Sequence, residues 1–168
     1  MIQKRVAEPN LAATLEPELK QLEPVIWLLV GLGAIPSVAF WAWVGRRIGN
    51  GRSFAIACLV EAGGVTLSVV AGEPALVALS AVLLGGTFVG ITATGLVNAR
   101  ELSNVDPRRN LALMTAIFGL GQMIGPTFAG MIHDATGSFS LPTLAAAAVL
   151  VIAAVLVGAT ASGKPAPR

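Results

Sequence analysis

Of the 20 charged residues in this 168-residue chain, a single one lies inside its five long apolar stretches. The stretches are residues 25–45, 53–72, 75–97, 111–132 and 141–160, each 20 to 23 residues long and together 106 residues. An even scatter would put well over half of the charges within them. A helix of about 20 residues, rising 1.5 Å per residue, crosses a hydrocarbon core about 30 Å thick. Lipid offers no partner for an open backbone, so such segments must close their hydrogen bonds internally. The pattern predicts an all-α fold, a polytopic transmembrane bundle of five spans.

Composition narrows the function classes. Apolar residues make up 55% of the chain and charged residues 12%, with a mean hydropathy of +0.78, whereas a soluble domain is about 45–50% apolar and about 25% charged. Disorder, a coiled coil and nucleic-acid binding are excluded together, the last despite a pI near 9.2. With three Trp, six Phe and no Tyr there is little surface for stacking bases. Cys58 is the single cysteine, which rules out an internal disulfide framework and any cysteine-based metal site. No nucleophile elbow, Walker loop, HExxH or dinucleotide glycine fingerprint occurs; Gly119-x-Gly121-x-x-x-Gly125 has the wrong spacing. The expectation is a non-enzyme with no cofactor and no metal, whose partners are the lipid bilayer and a small-molecule substrate.

Lys and Arg set the orientation. Arg46, Arg47, Arg52, Arg100, Arg108, Arg109, Lys164 and Arg168 fall on one side if the spans alternate, against Lys4, Arg5 and Lys20 on the other. The positive-inside bias puts the Arg loops and the tail 161–168 in the cytoplasm and the N-terminus outside, in a bacterial inner membrane. The leader, residues 1–24, lacks the apolar core and small-residue cleavage site of a secretory signal. Leu11, Leu15, Leu19 and Leu22 recur at helical spacing, but Pro17 interrupts them, so a short interfacial helix and an extended extramembrane tail fit equally.

Within the spans, Gly121, Gly125 and Ala129 stand at i, i+4 and i+8, as do Gly86 and Gly90 at i and i+4, a spacing that lets a neighbouring backbone approach. Pro126 and Pro36 each remove a helix hydrogen bond and are expected to kink their helices. Trp27 and Trp43 sit near span ends as interfacial anchors, and the deeper Trp41 suits packing against protein. Cys58 reads as a small packing residue. His133 and Asp134 are adjacent and so point about 100° apart, with Asp134, Thr136 and Gly137 reading as a helix stop and turn.

Gly121-Gln122-x-x-Gly125-Pro126, then Ala129-Gly130 and Asp134-x-Thr136-Gly137-Ser138-Phe139, resembles the eleventh helix and following loop of major facilitator superfamily transporters, closest to the YbfB/YjiJ-type group. Trp27 to Gly31, Ile35-Pro36-Ser37, Trp41 and Arg46-Arg47-x-Gly49 resemble that group's eighth helix and the loop after it. The resemblance covers roughly residues 25–160 and implies a partial major-facilitator fold, helices eight to twelve of a twelve-helix carrier. It places the Arg loop in the cytoplasm, as the charge count does. The loop Arg46, Arg47, Gly49, Arg52 resembles the superfamily's cytoplasmic Gly/Asp/Arg motif, with Arg46 where the acidic residue stands.

The resemblance also implies site residues. Thr92, Thr94 and Asn98 lie on the stretch resembling the tenth helix, Thr115 and Gln122 on that resembling the eleventh. Both helices line the cavity in this superfamily. These five are the substrate or gating candidates, with Gln122 foremost; hydrogen bonding between helices is the competing role for each. Asn98 also suits a helix end. Glu61, the one charge at membrane depth, is a candidate for proton or ion coupling, while the resemblance sets it on a peripheral helix, where a buried acid is merely structural. The expected function is the C-terminal part of a secondary transporter that moves a small solute by alternating access, completed by seven missing N-terminal helices or by another copy. The alternative is a non-transporting membrane protein, or a truncated fragment, packed against another membrane protein.

Overall fold

The computed structural model describes residues 4–70, 73–101 and 106–161, with side chains from residue 23 to residue 160 of these. The described residues form five helices: α1 Lys4–Ile48, α2 Asn50–Val70, α3 Pro74–Glu101, α4 Pro107–Thr136 and α5 Ser140–Ala161. Each contains a segment long and apolar enough to cross a membrane, the first being Glu23–Ile48. No strand occurs among the described residues. In α1 the helix begins at Lys4 and runs on through the first span, so the backbone shows no break at residue 24. Lys164 and Arg168 of the tail lie outside the described residues, as do positions 102–105 of the loop after α3.

Local chemistry explains the helix ends. Gly49 adopts a left-handed φ of 93° and its N–H donates to the Gly45 carbonyl at 2.8 Å, so the chain leaves α1 and re-enters a helix at Asn50 with one residue between. Asp106 caps α4, accepting from the backbone N–H groups of Arg108 (3.0 Å) and Arg109 (3.3 Å), with Pro107 at the first helical position, where its missing N–H costs nothing. At the other end Gly137 (φ 70°) closes α4 by donating to the His133 carbonyl at 2.7 Å, the helix stop expected from Asp134, Thr136 and Gly137, except that Asp134 itself is still within the helix.

Contacts between named residues give the helix directions. Gly33 lies against Gly85 and Gly86, and Ser37 and Trp41 against Gly90, so α1 and α3 run parallel. Phe54 meets Gly95 and Gly64 meets Leu83, so α2 runs antiparallel to α3. Ala55 approaches Gly158, while Leu67 and Val70 line a groove together with Leu144 and Ala147, so α5 runs antiparallel to α2. The C-terminus of α1, the N-terminus of α2 and the C-termini of α3 and α5 therefore share one end of the bundle, with Arg46, Arg47, Arg52 and Arg100.

The core is built from small side chains. Ala55, Ala57, Cys58, Ala62, Ala81, Ala147 and Ala154 are buried, together with Ser37, Ser53, Glu61, Ser80, Thr87 and Thr94, and Trp41 is the largest buried side chain among the described residues. Most of the large Leu, Ile, Val, Phe and Met side chains are exposed, with Phe54, Ile91 and Leu150 packed inward against Ala55, Cys58 and Ala154. Lipid tails are as apolar as leucine, so these helices gain from close approach and hydrogen bonds rather than from burying large apolar groups. The closest approach is between α1 and α3. A Cβ added at Gly85 would meet the Val30 carbonyl, and one at Gly33 would come within 2.9 Å of the Val82 carbonyl.

Candidate solute-facing site

Helix α4 differs from the other four. None of its residues is buried, and it touches α3 and α5 only lightly. Its sequence is nonetheless two-sided. Residues seven apart on an α-helix fall within about 20° of one another, and residues eleven apart likewise. Arg108, Thr115, Gln122 and His133 follow those spacings, so they form one stripe, filled in by Gly119, Pro126 and Ala129. On the opposite side stand Leu113, Ile117, Leu120, Ile124 and Met131, each more than half exposed. Lipid accepts that apolar side. It offers nothing to the polar one.

Gln122 sits at the middle of this stripe, 15 residues from Pro107 and 14 from Thr136, which puts it about 22 Å from either end of the helix. Its side-chain amide makes no hydrogen bond among the described residues. Pro126, inside the helix four residues on, lacks the N–H that would bond the Gln122 backbone carbonyl. Gln122 thus offers an amide donor and acceptor together with a main-chain acceptor, all at one depth. Thr115, two turns away and exposed, spends its hydroxyl proton on the Leu111 carbonyl at 2.9 Å, which leaves its oxygen free to accept.

The other expected solute contacts do not join Gln122 and Thr115. Thr94 is buried and donates to the Gly90 carbonyl of its own helix at 2.7 Å. Thr92 is half-buried and donates to the Phe88 carbonyl at 3.1 Å. Asn98 is half-buried near the end of α3. An open groove of about 570 Å³ between α2 and α5, lined by Leu59, Gly63, Leu67, Leu144 and Val151 among others, contains none of the five.

The glycine pattern is met in one helix and left open in the other. Gly90 is packed under the Trp41 ring and Ser37, whereas a Cβ at Gly86 meets nothing within 4 Å; in α3 the closest backbone contact falls on Gly85. Gly121 and Gly125 face open space, so the small-residue face of α4 receives no neighbour from the described residues. Pro36 is exposed on α1.

The centre of the bundle carries a polar arrangement that spacing alone did not reveal. Trp41 Nε1 donates to the Gly86 carbonyl at 2.8 Å, the Gly90 N–H donates to Ser37 Oγ at 2.8 Å, and Ser53 Oγ donates to the Trp41 carbonyl at 3.0 Å. Two side chains of α1 thus engage both members of one main-chain pair of α3, and α2 is tied to the same turn. The signal in the sequence was Gly33 with Ser37, and Gly86 with Gly90, both at i and i+4. Glu61 lies in α2, 7% exposed. Every fully enclosed side-chain nitrogen or oxygen among the described residues has a hydrogen-bond partner, while Glu61, with its slight exposure, makes neither a hydrogen bond nor an ion pair.

At the arginine end, Arg47 lies over the Trp43 ring, 5.3 Å from its centroid, and Arg46 and Arg52 are exposed. Asn50 Nδ2 donates to Glu101 Oε1 at 2.7 Å, joining the start of α2 to the end of α3. Glu101 thus supplies a carboxylate at this end from α3. At the opposite end His133 stacks on Phe139, centroids 4.1 Å apart, and its Nδ1 lies 3.7 Å from Asp134 Oδ1 in a solvent-exposed pair. Cys58 is enclosed by Ala55, Ala154, Phe54, Ile91 and Leu150.

Five helices long and apolar enough to cross a membrane, packed through a core of small residues, define a class, the polytopic integral membrane proteins. The family model described as "Uncharacterised MFS-type transporter YbfB" matches residues 14–158. The chain belongs to that family of major-facilitator-type transporters. Comparison with curated proteins and with solved structures gives no match.

Proposed function

We propose that this chain forms one wall of the solute path of a secondary transporter, and that the stripe Thr115, Gln122 and the small residues between them is that wall. The observation that carries the reading is the uncovered, hydrogen-bonding face of α4 at mid-membrane. A glutamine amide turned to lipid is unfavourable, and this one has no partner within the described residues, so the face belongs against water, solute or another polar helix surface. The opposite wall comes from helices beyond these five, either the remaining helices of a twelve-helix carrier or those of a second copy. Alternating access then exposes the stripe to each side of the membrane in turn. Between Arg109 and His133 the face holds no charge, so it contributes neutral hydrogen bonds to a small polar solute. The arginine end and the C-terminus lie in the cytoplasm of a bacterial inner membrane, by the positive-inside bias.

The test is two-sided access at Gln122. In a Cys58→Ala background, Gln122→Cys is treated with a membrane-impermeant thiol reagent in intact cells and in inside-out vesicles. Reaction from both sides supports alternating access. Reaction from one side alone replaces it with a fixed vestibule, and reaction from neither side removes the solute path.

A further inference from the structure

We propose that Glu61 is a proton-binding site buried in the α1–α2–α3–α5 core, whose proton exchanges only when water enters between α2 and α3. Glu61 lies 11 residues from Asn50 and 9 from Val70, so about 15 Å of helix separates it from either end of α2. Antiparallel contacts set its level on α3. Phe54 meets Gly95, and Gly64 meets Leu83 and the Ser80 carbonyl, so Glu61 stands opposite the turn that contains Gly86 and Thr87. That turn is the one held by Trp41 and Ser37.

The surroundings suit a neutral carboxylic acid better than a carboxylate. The spans of α1, α3 and α5 contain no ionisable residue between their ends, and α2 adds Cys58 alone; the remaining charges, Arg46, Arg47, Arg52, Arg100 and Glu101, stand at the arginine end, and Glu23 and Glu73 at the other. No counter-charge among the described residues reaches Glu61, and a lone ion in lipid-like surroundings is strongly unfavourable. Three hydroxyls of α2 and α3 have committed their protons to their own helices. Thr87 donates to the Leu83 carbonyl at 2.7 Å, Ser80 to the Val77 carbonyl at 2.8 Å and Thr66 to the Ala62 carbonyl at 2.7 Å. Such hydroxyls have oxygen lone pairs left to accept an acid O–H, and no O–H left to stabilise an anion. A metal cation is a poor alternative, because it requires several anionic or carbonyl oxygens. No group of three or more His, Cys, Asp or Glu able to hold a metal ion occurs among the described residues.

Linkage follows directly. A proton on Glu61 favours the packed helices, and packed helices hold the proton, each to the same degree. The inference stands on the α2 core alone and is independent of whether α4 lines a solute path.

The test is infrared spectroscopy of the full chain in lipid bilayers, with and without ¹³C-glutamate, alongside Glu61→Gln. The expected result is one protonated-carboxyl C=O band that shifts with ¹³C, disappears in Glu61→Gln and vanishes reversibly as pH is raised. Dicyclohexylcarbodiimide, which adds whole to a protonated carboxyl, is expected to modify Glu61 at low pH in the wild type and to give no adduct at position 61 in the variant. Absence of the band at every pH overturns the proposal, since Glu61 is then permanently ionised. A band that never titrates while the helices remain folded also overturns it, leaving a fixed structural hydrogen-bonding group. Loss of the band on adding sodium at constant pH overturns it in favour of a metal cation.

Discussion

A methyl group added at Gly85 would meet the Val30 main chain, while one added at the next residue, Gly86, meets nothing within 4 Å. Gly85→Ala is therefore expected to push α1 from α3 and destabilise the bundle by about 1–3 kcal/mol, the usual range for overpacking, with Gly86→Ala nearly neutral. Unfolding in mixed detergent micelles measures both, and equal effects would contradict the packing described. Trp41→Phe keeps most of the ring but leaves the Gly86 carbonyl without its indole donor, so a loss of about 1 kcal/mol is expected in the same assay. The i, i+4 glycine spacing was legible in the sequence. Which of two adjacent glycines takes the contact was not, because it depends on the rotation of α1 against α3, and nothing local in either helix sets that rotation.

At the scale of the element, the five spans were legible because lipid imposes a length and an apolar composition that few other environments demand. The stop of α4 was legible at Gly137, where capping chemistry is local, whereas its start at Asp106-Pro107 lies ahead of the apolar stretch 111–132 that marked the span. Thr92 and Thr94 show the limit. Both lie on a helix that the resemblance sets along a cavity, yet Thr94 faces the core and donates to its own helix. Sequence spacing places a residue on a helix, but its neighbours are decided by which helices are beside it. Thr94→Val is expected to leave expression and folding nearly unchanged, since the hydroxyl serves only its own helix. A large loss of folded protein in a detergent stability assay would assign it a bond to another helix. In α4, Gly121→Ala and Gly125→Ala are expected to leave the stability of the isolated chain within about 0.5 kcal/mol, as for exposed sites generally. The same changes are expected to weaken association with whatever covers this face, read as oligomeric mass by light scattering with detergent subtracted.

For the whole molecule, the parallel and antiparallel contacts bring Arg46, Arg47, Arg52 and Arg100 to one end, and charge and packing then agree on one topology. Ser138→Cys is expected to react with an impermeant thiol reagent in intact cells, and Arg109→Cys only after permeabilisation; the reverse pattern would invert the orientation. The buried Cys58 gives the wild-type background. The central claim, that α4 turns a polar face to water inside a carrier, is met most directly by a cysteine scan of α4 from Leu113 to Met131 in the membrane-embedded protein. The account predicts reaction with an aqueous thiol reagent at positions 115, 119, 122 and 129, and protection at 113, 117, 124 and 131. Protection along the whole helix, or reaction without helical period, would contradict it.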